Sequence, residues 1–174
     1  PSPTERGGAA PLIASDVAHD GLSRRRPEDD ELTCDPILRG RLTLLQPRVG
    51  YRFSIDPLLL ADFVGAAPLG RLVDLGAGVG VVGLTLAKND PAAQVTLVEL
   101  QPRLAALCLR NTAHNGLAER CSVIQGDLLA PATQKQLPGA CFDLVVSCPP
   151  YYPLGHGDEA TSNGLRVIAD ASHG

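Results

Sequence analysis

The stretch Val73-Asp74-Leu75-Gly76-Ala77-Gly78-Val79-Gly80 constrains the fold of this chain more than any other. It begins in a short apolar run, Leu72 to Leu75, that reads as a strand, and it opens a helical run, Val81 to Lys88. Glycine is needed where a chain turns sharply and where a ligand approaches the backbone closely. A tight strand-to-helix turn with no ligand is the plainer reading. The strand–loop–helix setting favours a ligand cradle.

The same rhythm continues downstream. Asn89-Asp90-Pro91 ends the first helix, and Gln94 to Leu100 reads as a second strand. Pro102 to His114 follows as a helix with Leu104, Leu107 and Cys108 on one face, closed by Asn115-Gly116. Cys121 to Gln125 is a third strand, and Pro131 and Pro138 bracket a loop with room for a short helix. Phe142 to Ser147 is a fourth strand, apolar in the way of a strand buried on both faces. Strands alternating with helices predict an α/β fold with right-handed crossovers and a parallel sheet carrying helices on both faces.

Upstream, Ile37-Leu38, Arg39-Gly40-Arg41 and Leu42 to Leu45 predict a β-hairpin with Gly40 in its turn. Asp56-Pro57 predicts a helix start, with the carboxylate as cap, and Leu58 to Val64 a largely buried helix. Order is expected from near Thr33. Residues 1–33 read as a disordered tail, with an Arg24-Arg25-Arg26 run and an Asp29-Asp30-Glu31 run. Residues 34–155 form the folded domain and 156–174 a flexible tail.

At 174 residues the chain suits one domain, and with 3% aromatics its core must be Leu, Val and Ala. No signal-peptide pattern or membrane-length apolar run occurs, so a cytoplasmic address is expected. The five cysteines lack Cys-x-x-Cys spacing and their number is odd. A disulfide framework and metal ligation are therefore not expected; Cys34, Cys108, Cys121 and Cys141 read as reduced, mostly buried thiols. A net charge of −4 argues against a generic polyanion binder. Arg39, Arg41, Arg48 and Arg52 nevertheless offer a local basic face, or simply a solvated surface.

Two ligands suit the glycine loop. Gly78-Val79-Gly80-Val81-Val82-Gly83 matches the dinucleotide pattern G-x-G-x-x-G, and Glu99 ends the next strand, where an acid for ribose hydroxyls belongs. Asp74, at the mouth of the loop, argues for the other ligand. It would repel a pyrophosphate but favour the ammonium and sulfonium of S-adenosylmethionine. Val73 to Gly80 with Glu99 resembles the first two motifs of class I methyltransferases. Gly126-Asp127, after the third strand, resembles the position whose acid meets the adenine amino group.

Ser147-Cys148-Pro149-Pro150-Tyr151-Tyr152 follows the fourth strand. Pro-Pro alone would make a rigid exit loop. In this place, however, it resembles the Asn-Pro-Pro-Tyr motif of methyltransferases acting on exocyclic amino nitrogens. That resemblance implies roles at Cys148, Pro149, Pro150 and Tyr151. The family's Asn side chain and first proline carbonyl accept the two amine N–H bonds, and its aromatic ring stacks on a base turned out of its helix or loop. Here Cys148 replaces the asparagine, and a thiol is a weak acceptor unless a lowered pKa makes it a thiolate.

Leu32 to Val64 narrows the resemblance. It is similar to the lead-in of bacterial tRNA (adenine-N6) methyltransferases that modify the adenine beside a valine tRNA anticodon. There a hairpin ending in Gln-Pro, a Gly-Tyr-Arg-Phe stretch and an Asp-initiated helix close over the cofactor. Gln46-Pro47, Gly50-Tyr51-Arg52-Phe53 and Asp56 match those positions. The resemblance implies a Rossmann-like class I domain that takes S-adenosylmethionine and a tRNA substrate. Its cofactor site would hold Phe53, Asp56, Asp74, Gly76, Gly78, Gly80, Glu99 and Asp127. A non-catalytic cofactor- or RNA-binding remnant and a dinucleotide oxidoreductase are the alternatives. Members of this class continue through further strands and helices, which would need roughly 60 or more residues. The glycine-rich tail to Gly174 offers no such pattern, so those strands are expected to be missing and the fourth strand to be an apolar open edge.

Overall fold

In the computed structural model, which describes residues 31–65, 68–137 and 141–149, four strands make one parallel sheet. They are β3 (Arg71–Leu75), β4 (Gln94–Glu99), β5 (Cys121–Gln125) and β6 (Leu144–Ser147), in the order β5-β4-β3-β6. The register sets Leu72 beside Val95 and Leu144, Asp74 beside Leu97 and Val146, and Leu97 beside Val123. Side chains alternate faces along a strand, so these residues and Glu99 share one face.

That face carries the main core. Upon it lie α1 (Asp56–Val64), α2 (Val81–Asn89) and α3 (Pro102–His114). Helix α2 buries Val82, Leu84 and Leu86, and α3 buries Leu104, Leu107 and Cys108, the face its spacing predicted. On the opposite face Val73, Val98 and Ile124 are covered by Leu137 and Phe142, near the short helix α4 (Pro131–Gln134). The chain steps outward from β3 to β4 and β5, then crosses back to β6 on the other side of β3. That reversal opens a crevice at the carboxyl ends of β3 and β6, where open α/β sheets bind ligands.

The expected hairpin is present as β1 (Leu32–Ile37) antiparallel to β2 (Leu42–Pro47). Its turn holds Leu38, Arg39 and Gly40 at φ of 51°, 57° and 81°. Two side-chain-bearing residues thus occupy left-handed backbone that disfavours them. Asn111 of α3 and Asn115, the residue that caps its carboxyl end, take the place of a third strand beside β2. The Asn115 amide accepts the Thr43 N–H at 2.9 Å and donates to the Thr43 carbonyl at 2.7 Å. The Asn111 amide accepts the Leu45 N–H at 2.7 Å and donates to the carbonyls of Leu45 and Val79, both at 2.9 Å. Residues four apart share a helix face, which is why both amides reach the same strand.

Several expectations are corrected. Helix α1 is not largely buried: of its residues only Pro57 and Ala61 are, while Leu59 is 57% and Phe63 89% exposed. The helix packs on α2 along one side only. Asp56 does not cap it either. Ile55 is the N-cap, and the Asp56 carboxylate accepts the Ser54 hydroxyl at 2.6 Å. Strand β6 is not buried on both faces: Val145 is 58% exposed, because the small cluster that covers its face, Val73, Val98 and Ile124 with Leu75, Leu137 and Phe142, does not reach it. Among the described residues β6 pairs with β3 alone. Cys108 and Cys121 are buried and Cys141 half-buried, but Cys34 is exposed. β1 already begins at Leu32. The rest of the expected tails, 1–30 and 156–174, and residues 150–155 of the expected domain lie outside the described residues.

Candidate functional site

The glycine loop is built by its own backbone. The N–H groups of Gly76 and Ala77 both donate to the Val98 carbonyl at 2.9 Å, folding the loop across the end of β4. Gly78 has φ +58°, and a Cβ built on it would stand 2.5 Å from the Tyr51 hydroxyl. Gly80, at φ +94°, is the N-cap of α2. Gly83 lets α2 approach the sheet, since a Cβ there would lie 2.8 Å from the Leu97 side chain.

Asp74 does not project from the loop mouth as its sequence position suggested. It points toward the helix face, is 1% exposed, and accepts the Gly83 N–H at 2.9 Å. Burial pushes its carboxyl up to about 7; the Gly83 N–H opposes that rise and the nearby Glu99 adds to it. Glu99 is 3% exposed and accepts the Gly78 N–H on one oxygen and the Gln101 N–H on the other, each at 2.8 Å. The acid of the second strand is therefore tied directly to the glycine loop.

A cavity of about 10 Å³ lies at the strand crossover point, lined by Asp74, Gly76, Ala77, Pro57, Tyr51 and Cys148, with Val81 and Val82 behind. It joins residues predicted from two separate motifs, Asp74 and Gly76 of the glycine loop and Cys148 at the exit of the fourth strand. Cys148 is half-buried, and its thiol is pushed up by burial, with Asp56 and Asp74 adding to the rise. The site therefore holds a thiol and not the thiolate that would accept strongly. Pro149 follows, exposed; Pro150 and Tyr151 lie outside the described residues.

Phe53, Asp56 and Asp127, also predicted, are not among the residues that line this crevice. Phe53 is half-buried against the core, its N–H donating to the Gln46 side chain at 3.3 Å. Asp56 is exposed at the start of α1. Asp127, half-buried beyond β5, accepts the Leu129 N–H at 2.8 Å. Tyr51 was missed. Its ring packs on the core, its hydroxyl lies over Gly78, and burial plus the charges of Glu99 and Asp74 push its phenol up to about 12. The Gly50-Tyr51-Arg52-Phe53 match contained it, but only Phe53 of that stretch was carried into the expected cofactor site.

The basic face is mostly structural. Arg41 donates to the Lys88 carbonyl at 3.1 Å and Arg48 to the Leu32 carbonyl at 3.2 Å. Arg52 donates to the Pro47 carbonyl, the Thr33 hydroxyl and Asp35, at 2.9–3.1 Å. Arg39 is exposed on the left-handed turn. A larger cavity, about 290 Å³, lies at the amino ends of the strands beside Arg71, Thr96, Arg120 and Phe142, and no predicted site residue lines it. Among the described residues no cluster of His, Cys, Asp and Glu could hold a metal, and no helix is long and apolar enough to cross a membrane.

The comparisons with known proteins agree with this geometry. The chain is 32% identical over 117 residues to the tRNA1(Val) (adenine(37)-N6)-methyltransferase of Porphyromonas gingivalis, covering 64% of this chain and 46% of that protein. It is 35% identical over 109 residues to the protein of the same name from Escherichia coli O1:K1, covering 62% and 43%. The chain thus spans about half the length of the curated relatives it matches. A SAM-dependent methyltransferase from Agrobacterium tumefaciens shares the fold, with a TM-score of 0.56 at 18% identity, covering 71% of this chain and 41% of that one. The methyltransferase small domain family matches residues 55–173, more than half of the sequence. With the glycine loop, the acid-ended strands and the crevice between β3 and β6 in place, the chain belongs to the methyltransferase small domain family.

Proposed function

We propose that this chain is the S-adenosylmethionine-binding part of a methyltransferase that acts on an exocyclic amino nitrogen, with adenine N6 in tRNA as the substrate. The observation that carries the reading is the meeting of Asp74, Gly76 and Cys148 in one crevice at the crossover point of the sheet. The donor set suits a cationic, phosphate-free nucleoside. Two buried carboxylates lie beneath and behind the loop, a third follows β5, and a pyrophosphate would be repelled there. That electrostatic argument, with the family match, disfavours a dinucleotide.

In this reading Glu99 holds the ribose hydroxyls, Asp127 the adenine amino group, and Asp74 attracts the ammonium and sulfonium end. Gly76, Gly78 and Gly80 let the backbone come close, and Phe53 and Asp56 close the crevice from the lead-in. When bound, S-adenosylmethionine supplies an activated methyl group. The chain itself orients the acceptor amine. The Pro149 carbonyl accepts one amine N–H, Cys148 stands where the second acceptor belongs, and Pro150 and Tyr151 shape and stack the base. Pre-placed acceptors of this kind raise electron density on a poorly nucleophilic nitrogen.

Cys148 also supports a second reading, a binding remnant without turnover, because a thiol is a poor acceptor. One experiment separates the two. Labelled S-adenosylmethionine is incubated with the chain and bulk tRNA, with cofactor affinity measured alongside by calorimetry against NAD. Label in N6-methyladenine supports the enzyme; cofactor binding without label supports the remnant. Preference for NAD refutes both.

A further inference from the structure

We propose that Tyr51 is a gate on the cofactor crevice: its ring occupies space over Gly78 that a nucleoside needs, and it must swing out for the ligand to enter. The inference rests on the cofactor reading above and adds a step to it. The crevice as described measures about 10 Å³, about the volume of a single water-sized probe. Pockets for ligands of nucleoside size run from roughly 300 Å³ upward. Something in the wall has to move.

Most of the wall is anchored. Gly76 and Ala77 are bonded to Val98, Gly78 to Glu99, and Asp74 to Gly83. Pro57 and Val81 belong to helices packed in the core. Tyr51 is different, because it lies in a stretch with no regular structure. On its amino side Gly50, at φ +91°, has nothing within 4 Å of its would-be Cβ, so the chain there is not packed against a neighbour. On its carboxyl side Arg52 is held by Pro47, Thr33 and Asp35. The ring can therefore turn on its own side-chain bonds while the rest of the lead-in, held at Arg52, stays docked. Its departure uncovers Gly78 and, behind it, the Glu99 carboxylate that now accepts the Gly78 N–H. The phenol also lies close enough to Glu99 and Asp74 for their charges to disfavour its ionisation.

A gate of this kind lowers apparent affinity by the fraction of time it stands open. Truncating the ring should remove that restriction. The chain has no tryptophan and three tyrosines, so in a Tyr151→Phe, Tyr152→Phe background labelled with 3-fluorotyrosine only Tyr51 gives a fluorine resonance. Adding S-adenosylmethionine should move that resonance to a new position. In stopped flow the parent's binding rate should saturate with cofactor concentration. Tyr51→Ala should bind about tenfold faster, with a rate linear in concentration. Tyr51→Phe, which keeps the ring, should behave as the parent and so guards against misfolding of the alanine variant. Calorimetric binding with an unmoved resonance and equal rates for Tyr51→Ala and the parent overturns the gate and leaves the cofactor reading intact. No cofactor binding by the parent, Tyr51→Phe or Tyr51→Ala overturns the cofactor reading, and the gate with it. Binding by Tyr51→Ala but not by the parent supports the gate.

Discussion

Replacing Asp74 by asparagine removes a buried charge while keeping a hydrogen-bond acceptor for Gly83. The Asp74 carboxylate accepts the Gly83 N–H at 2.9 Å, and an amide oxygen can do the same. Burial holds the folded-state carboxyl at about 7, against an ordinary value of 3.8 in the unfolded chain. Between those values the folded protein binds a proton that the unfolded chain has released. Stability from this group is therefore fully present below pH 3.8 and is lost as pH rises, the loss being complete above about 7. At about 1.4 kcal/mol per pH unit the whole difference amounts to about 4 kcal/mol. About 3 kcal/mol of it falls between roughly pH 5 and 8. That is large against the roughly 5–15 kcal/mol that holds a domain folded. Urea unfolding of the parent and Asp74→Asn at several pH values tests it, because shifts common to both proteins cancel in their difference. The difference should move by about 3 kcal/mol in favour of the asparagine variant as pH rises across that range. A pH-independent difference would refute a buried Asp74 that releases its proton near pH 7. The same asparagine variant should bind the cationic cofactor more weakly above pH 7, where the parent carries the charge.

Asn111→Ala leaves the Leu45 N–H and the Leu45 and Val79 carbonyls without their partner. With about 1–3 kcal/mol per unpaired buried group, a total loss of about 3 kcal/mol or more is expected, with amide exchange at Leu45 rising before that of β4. A loss under about 1 kcal/mol would show that the hairpin docks by its apolar face alone. Cys148→Asn should raise methyl transfer to tRNA, measured with labelled cofactor, and an unchanged rate would count against an acceptor role. Arg39→Ala should weaken RNA binding without altering cofactor affinity. Arg41→Ala should do so too, but it also frees the Lys88 carbonyl, so its melting temperature should fall. Loss of cofactor binding in both variants would mean that the hairpin arginines act on folding.

Much of the architecture was legible because it rests on local patterns. The strand runs of β4 and β5, the single apolar face of α3 and the Asn115-Gly116 stop were all readable, and these three elements lie within a residue of their expected bounds. Helix α1 was misread because Asp56 to Val64 is apolar on nearly every side. A sequence of that kind does not say which side meets a neighbour, and only the packing on α2 decided that Leu59 and Phe63 face solvent.

The acids illustrate the same division. That Asp74 and Glu99 flank a glycine loop was plain in the sequence. That both point to the helix face, buried and bonded to loop and helix N–H groups, depended on the parity of the sheet register. Local order along the chain determined the strands, helices, loop and motif positions, because turn chemistry and hydrophobic period act over a few neighbours. The crossover from β5 back to β6 lay beyond that range. It brought Cys148 to Asp74, while docking of the hairpin on Asn111 and Asn115 set Tyr51 over Gly78, since contacts between residues tens of positions apart exist only once the elements have packed.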